Sequence, residues 1–109
     1  MRGLNNYHDG LSAERGVARR YERAGGQVAA RRWRGPSGEI DLVIRQGAEI
    51  IFVEVKKARD FARAAEHLTM RQLARIIATA DEYIGSEPDG QLTQVRVDVA
   101  LVNQAGETV

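Results

Sequence analysis

The 109-residue chain has no cysteine, which excludes a disulfide framework and any cysteine-based zinc site. Histidine is nearly as scarce: His8 and His67 fall in expected terminal or loop regions, without a second ligand at metal spacing, so neither supports a zinc site or a histidine base. No apolar run approaches the roughly 20 residues needed to span a bilayer, and the amino terminus lacks the apolar segment of a secretory signal. A cytoplasmic location is therefore expected. Internal repeats, low-complexity tracts and interdomain linkers are also missing. A chain of this length is expected to form a single domain over residues 1–109, burying roughly two-thirds of its unfolded surface without metal staples.

Net charge is only +1, but it is unevenly spread. Residues 1–34 hold eight arginines against Asp9, Glu14 and Glu22, a local net of +5, while the remainder carries eight basic and twelve acidic residues, a net of −4. Arg15, Arg19, Arg20 and Arg23 recur at helical spacing, and Arg31, Arg32 and Arg34 surround Trp33. Together they make a basic surface suited to phosphate contacts, or else a solvated helix face whose arginine stems cover apolar surface. Trp33 reads as a core anchor in preference to a base-stacking residue.

Two acids stand in apolar, β-branched runs: Asp41 in Ile40–Ile44 and Glu54 in Ile50–Val55. The runs flank Arg45-Gln46-Gly47-Ala48-Glu49, a glycine-containing hairpin signal. With residues 46–49 as the loop, opposed residues have numbers summing to 95, so Asp41 lies across from Glu54 and Val43 from Phe52. Period-two alternation adds Lys56 to the acid face and sends Ile40, Leu42, Ile44, Ile51, Val53 and Val55 to the other. A charged face opposite a wholly apolar one is the expectation, and a one-residue slip would mix the two sets.

Carboxylates about 5 Å apart repel by roughly 3 kcal/mol at an effective dielectric of about 20. A divalent cation reverses that sign, and hard oxygen donors suit Mg2+ or Mn2+, which keep several waters and accept phosphate oxygens. Lys56 would be placed to orient an attacking water or to neutralise charge developing at phosphorus, or would simply pair with Glu54 or Glu39.

Gly38-Glu39-Ile40-Asp41-Leu42-Val43 followed by Ile51-Phe52-Val53-Glu54-Val55-Lys56 resembles the small bacterial YraN-like family of endonuclease-like proteins, within the PD-(D/E)xK superfamily of restriction-endonuclease-like folds. More distantly it is similar to archaeal Holliday junction resolvases. Gly10, Glu14 and Ala18 match the family's opening pattern, Gly26 its helix-ending glycine, Trp33 its aromatic before the motif, and Val97-Asp98-Val99 its late strand. The resemblance implies an α/β restriction-endonuclease-like domain with a central mixed sheet flanked by helices. It implies Asp41 and Glu54 as ligands for Mg2+ or Mn2+, Lys56 as the catalytic lysine, and Glu14 as a further acid from the first helix. Nucleic acid, DNA by analogy, is the implied partner, and Arg15, Arg19, Arg31, Arg32, Arg34 and Lys57 are its expected contacts. Resolvases of this build act as two-fold dimers, so a homodimer is expected by analogy. The competing expectation is a nucleic-acid-binding module of the same fold without turnover, acting in DNA repair or uptake; a purely structural ion pair is the third.

The remaining segments supply the frame. Residues 12–24 read as a first helix capped by Ser12 and stopped by Gly25-Gly26, which puts Glu14 in the first turn, where the helix dipole favours any carboxylate. A first strand is expected over 27–34 and a turn at Pro36-Ser37-Gly38. Thr69-Met70-Arg71-Gln72 has the form of a capping box, predicting a second helix from Met70 with Leu73, Ile76, Ile77, Ala80 and Ile84 as its apolar stripe and Gly85 as its stop. That stripe is expected to cover the apolar face of the hairpin. Residues 58–68 are ambiguous, alanine-rich enough for helix, with a mobile loop beside the substrate groove the favoured expectation. Leu92–Val102 alternate as a strand of a mixed sheet, in which Asp98 is expected to form an ion pair in preference to joining a metal site.

Overall fold

The hairpin is the centre of the structure. In the computed structural model, which describes residues 2–109, with side chains described from Gly10 onward, β2 (Gly38–Gln46) and β3 (Glu49–Lys57) pair antiparallel through Leu42↔Val53, Val43↔Phe52, Ile44↔Ile51, Arg45↔Ile50 and Gln46↔Glu49. This is the register expected from the hydrophobic pattern, closed by Gly47 at a positive φ of 61° that a residue with a Cβ adopts only under strain. The pairing stops at Leu42 and Val53, because the Asp41 carboxylate itself accepts the Val55 N–H at 2.8 Å.

β1 (Gln27–Gly35) adds antiparallel to β2 with a register shift between Val28 and Ala30, and β4 (Gln94–Val102) adds parallel to β3, giving a four-stranded mixed sheet in the order β1-β2-β3-β4. A parallel neighbour requires a crossover. Here it contains α2 (Phe61–Glu66), α3 (Met70–Ile84) and a short 3₁₀ turn at Gly90–Leu92. The α/β architecture expected from the sequence is the one observed.

The expectation of one apolar and one charged face is corrected. Both faces are buried. On one side Leu42, Ile44, Ile51 and Val53 pack with Ala13, Val17 and Ala18 of α1 (Arg2–Arg23). On the other, Val43, Ile50 and Phe52, residues sharing the parity of the acids or lying beside them, pack with Ala80 and Ile84 of α3. The α3 stripe thus covers the face assigned to charge, while α1 covers the one assigned to α3. Ile40 joins the α3 cluster although Leu42, two residues on, joins the α1 cluster, so simple alternation fails on crossing Asp41. Trp33 packs against the α3 cluster as a core residue; its ring meets Tyr83 edge-on at 5.2 Å, and Tyr83 meets Phe52 at 5.6 Å. Burying each such large side chain is worth about 1.5–3 kcal/mol.

The helices depart from expectation at two boundaries and at one buried position. α1 begins ten residues before Ser12, so Glu14 sits in the helix body and owes nothing to the first turn. No proline interrupts residues 2–11, and the Ser12 cap signal is one that helix interiors tolerate. Its end is as expected: a Cβ on Gly26 would lie 2.9 Å from Ile44 Cγ2 and 3.1 Å from the Tyr21 carbonyl, so only glycine lets the chain turn this tightly against β2. Residues 61–66 take the helical alternative over the favoured loop, because Asp60 caps the Arg63 N–H at 2.9 Å and pairs with its guanidinium at 2.8 Å. In α3 the capping box of Thr69 and Gln72 is fully formed and Gly85 closes the helix, but Ile77 is exposed and Thr79 is buried in its place, its hydroxyl donating to the Arg75 carbonyl at 2.7 Å. No helix among the described residues is long and apolar enough to cross a membrane.

Candidate metal and nucleic-acid site

Where β2 and β3 run out beyond their helical cover, the acidic positions come together. Asp41 leaves the end of the β2–β3 ladder, Glu54 and Lys56 follow on β3, and Glu14 arrives from the body of α1. Lys56 Nζ lies 3.8 Å from Glu54 Oε2, and both side chains are largely buried, at 15% and 13% exposure. The Glu54 carboxyl is pushed up from 4.5 to about 8, first by burial, then by its hydrogen bond to Asp41 and by the charges of Asp41 and Glu14; Lys56 opposes the shift. Burial and the neighbouring Asp41 together favour the protonated form of the Glu54 carboxyl.

Glu14 is gripped by Arg32 through two hydrogen bonds, Nε to Oε2 and Nη2 to Oε1, each 3.2 Å. Burial nevertheless raises its pKa, with Asp41 and Glu39 adding to the rise and Arg32 opposing it. Arg32 takes a positive φ of 51° to make this reach from β1. The expected acidic group is thus assembled electrostatically: Glu14 feels Asp41, and Glu54 feels both.

Two clefts open onto it. One, of about 810 Å3 on the α1 side, is lined by Glu14, Asp41, Lys57, Arg59 and Gln104 among others. The other, about 190 Å3 on the α3 side, has Glu39, Glu54, Gln72 and Arg75 on its walls. Gln72 therefore serves twice, in the helix cap and at the rim of the site. Among the described residues no three acidic or histidine side chains converge into a cage for a cation. Asp41 and Glu54 are still an apt donor pair for a hard ion that keeps most of its waters, since Mg2+ is commonly held by one or two carboxylates.

The expected phosphate contacts divide. Lys57 lines the Asp41 cleft. Arg15, Arg31 and Arg32 line a separate hollow beside Glu14, and Arg19 is exposed on α1. Arg34 pairs with Glu39 at 3.2 Å. Sequence reasoning missed Arg59 and Arg75, the guanidinium groups on the two cleft walls. Arg75 was accessible to it, standing one helical turn after Gln72; Arg59 depended on the fold of a segment read as loop. Asp98 stays out of the acidic site, as expected, bonding instead to Arg96 at 2.8 Å and to the Tyr21 hydroxyl. His67 is exposed, and the side chain of His8 lies outside the described residues.

Residues 13–102 match the model of a family described as "Uncharacterised protein family UPF0102". Among similar proteins, a UPF0102 protein of Cereibacter sphaeroides (strain KD131 / KCTC 12085) is 57% identical over 106 residues, covering 97% of this chain and 91% of the relative. One from Ruegeria pomeroyi is 56% identical over 105 residues, 96% of this chain and 85% of the relative. A third, from Roseobacter denitrificans, is 53% identical over 104 residues, 95% and 81% respectively.

Proposed function

The chain belongs to the uncharacterised protein family UPF0102, and we propose that its acidic site makes it a Mg2+- or Mn2+-dependent nuclease of the PD-(D/E)xK type, hydrolysing nucleic-acid phosphodiester bonds. The observation that carries this reading is the buried pairing of Asp41 with Glu54, with Lys56 3.8 Å from Glu54, between two open clefts walled by cations. Asp41 and Glu54 would hold the ion. When bound it would lower the pKa of a water and offset charge developing at phosphorus. Lys56, kept close to the reaction centre by Glu54, supplies an ammonium that orients the attacking water or stabilises the pentavalent phosphorus. Glu14, held by Arg32, presents an acid on the α1 side of Asp41. Lys57 and Arg59 in one cleft and Arg75 in the other would receive backbone phosphates.

Purified protein is to be incubated with linear, single-stranded, flapped and four-way branched DNA, with and without Mn2+, beside Asp41→Asn, Glu54→Gln and Lys56→Ala. Metal-dependent cleavage that all three substitutions abolish is the expected result. Cleavage surviving in all three would come from a contaminant and sink the proposal. A second reading, a nucleic-acid-binding module without turnover, draws on Lys56, whose ammonium beside Glu54 offsets part of the acidic charge of the site without a metal. Metal-independent binding without cleavage would favour it.

A further inference from the structure

β4 is an outer strand of the sheet, and among the described residues its free side is covered only at its end. The Leu101 N–H donates to the Val109 carbonyl at 3.0 Å and the Leu101 carbonyl accepts the Val109 N–H at 2.9 Å, so the backbone groups of Leu101 face outward. Strand alternation turns those of Val99, Val97 and Val95 outward as well. Among the described residues nothing pairs with these three. Such an edge is a template for another strand. It also borders apolar surface: Val95 is 44% exposed, and an apolar cleft of about 430 Å3 joins it to Ile77 of α3, 54% exposed.

The charges say which strand fits. Arg96 and Asp98 alternate with the valines and share one face, where Arg96 Nε lies 2.8 Å from Asp98 Oδ1. We propose that β4 is the seam of a homodimer, pairing antiparallel with β4 of a second copy about a two-fold axis at Val97. In that register Arg96 lies opposite Asp98 of the partner subunit, Asp98 lies opposite Arg96 of the partner subunit, and Val95 exchanges backbone hydrogen bonds with Val99 of the partner subunit. A shift that centres the axis on Arg96 opposes arginine to arginine, and one centred on Asp98 opposes aspartate to aspartate; like charges directly opposed are destabilising. A shift of one residue sets inward-turned backbone groups against outward ones and forms no ladder. The strand is therefore complementary to itself in one register. The Thr108–Val109 segment, which covers Leu101, limits the seam to residues 95–99. Because the axis runs through the sheet, both α3 helices fall on one face, on either side of the apolar clefts at Ile77 and Val95. This inference is independent of whether the acidic site turns over.

The test is the solution mass of the full chain by light scattering and sedimentation, expected at twice the 12.1 kDa of the monomer. Val95→Pro removes only an outward N–H, a change edge strands tolerate, and should weaken dimerisation at least roughly tenfold with the circular dichroism spectrum unchanged. Arg96→Asp and Asp98→Arg each place like charges across the seam, so each alone should be monomeric, whereas their equimolar mixture should form a heterodimer, since all cross-seam pairs are then opposite in sign. Recovery on mixing also answers any concern that either variant is merely misfolded. Val97→Cys, the sole thiol in a chain without cysteine, should crosslink to its copy on oxidation. A wild-type monomer at every concentration overturns the proposal. So does a dimer that Val95→Pro leaves intact, or variants that fail to recover on mixing.

Discussion

Replacing Glu54 with glutamine should stabilise the metal-free protein, and by an amount that depends on pH. Folding raises the Glu54 carboxyl from 4.5 to about 8, so between those values the folded chain keeps a proton that the unfolded chain has released. Stability therefore falls as pH rises through that window, is unaffected by this group below about 4.5, and bears the full penalty above about 8. Charges alone do not set the size of the effect: repulsion from Asp41 is opposed by a somewhat smaller attraction to Lys56. What remains is chiefly the burial of a side chain only 13% exposed. The full shift sets a ceiling of roughly 5 kcal/mol at about 1.4 kcal/mol per unit. Side-chain relaxation and water entry reduce this to about 2 kcal/mol. Glutamine removes the titration yet keeps a donor for Asp41, as the protonated acid does. Melting curves in EDTA at pH 5, 7 and 8.5 should show the variant near wild type at pH 5 and higher by roughly 10 °C at pH 8.5. Adding Mn2+ should raise wild type and not the variant. A variant that tracks wild type at every pH, or melts below it at pH 8.5, would refute the reasoning.

Three other outcomes follow from the same geometry. Since Glu54 must lose its proton to serve as a ligand, Mn2+ affinity should rise up to about tenfold per pH unit between pH 6 and 8, and calorimetry in buffers of different ionisation enthalpy should detect proton release. Thr69→Ala removes the hydroxyl that accepts the Gln72 N–H at 3.1 Å and should cost about 1 kcal/mol in urea unfolding. Gly26→Ala forces a methyl onto Ile44 and the Tyr21 carbonyl and should cost about 1–3 kcal/mol in the same assay; an unchanged midpoint would show that the α1–β1 turn yields more readily than its contacts imply.

What sequence made legible was local. The β2–β3 register, the capping box at Thr69 and the helix stop at Gly26 all arise from interactions within a few residues or from strict alternation. The assignment of helices to faces was not legible, because period two says which residues share a side and not what covers it. Val43 and Phe52 were grouped with Asp41 and Glu54 on a charged side, yet the interior of that side is dry and only its end is polar. The start of α1 was lost to a plausible internal cap, and α2 to a segment whose stability comes from Asp60 and its tie to Arg63. Of the candidate site, Asp41, Glu54 and Lys56 were legible from the strand pattern and Glu14 only through the family resemblance; the pairing of Glu14 with Arg32 was not, since it joins positions 18 residues apart through an unusual backbone angle at Arg32.

The hydrogen bond from the Val55 N–H to Asp41 gives that aspartate two employments. One oxygen fastens β3 to β2 just where their mutual ladder gives out, so the carboxylate is a clasp as well as a candidate ligand. Alanine at this position would unfasten the strands and displace Glu54 and Lys56 along with the charge, and a dead enzyme would be ambiguous between lost chemistry and lost shape. Asparagine can keep the clasp through its amide oxygen while surrendering the charge. Architecture and reactivity can be separated at Asp41 only by a substitution that preserves the first.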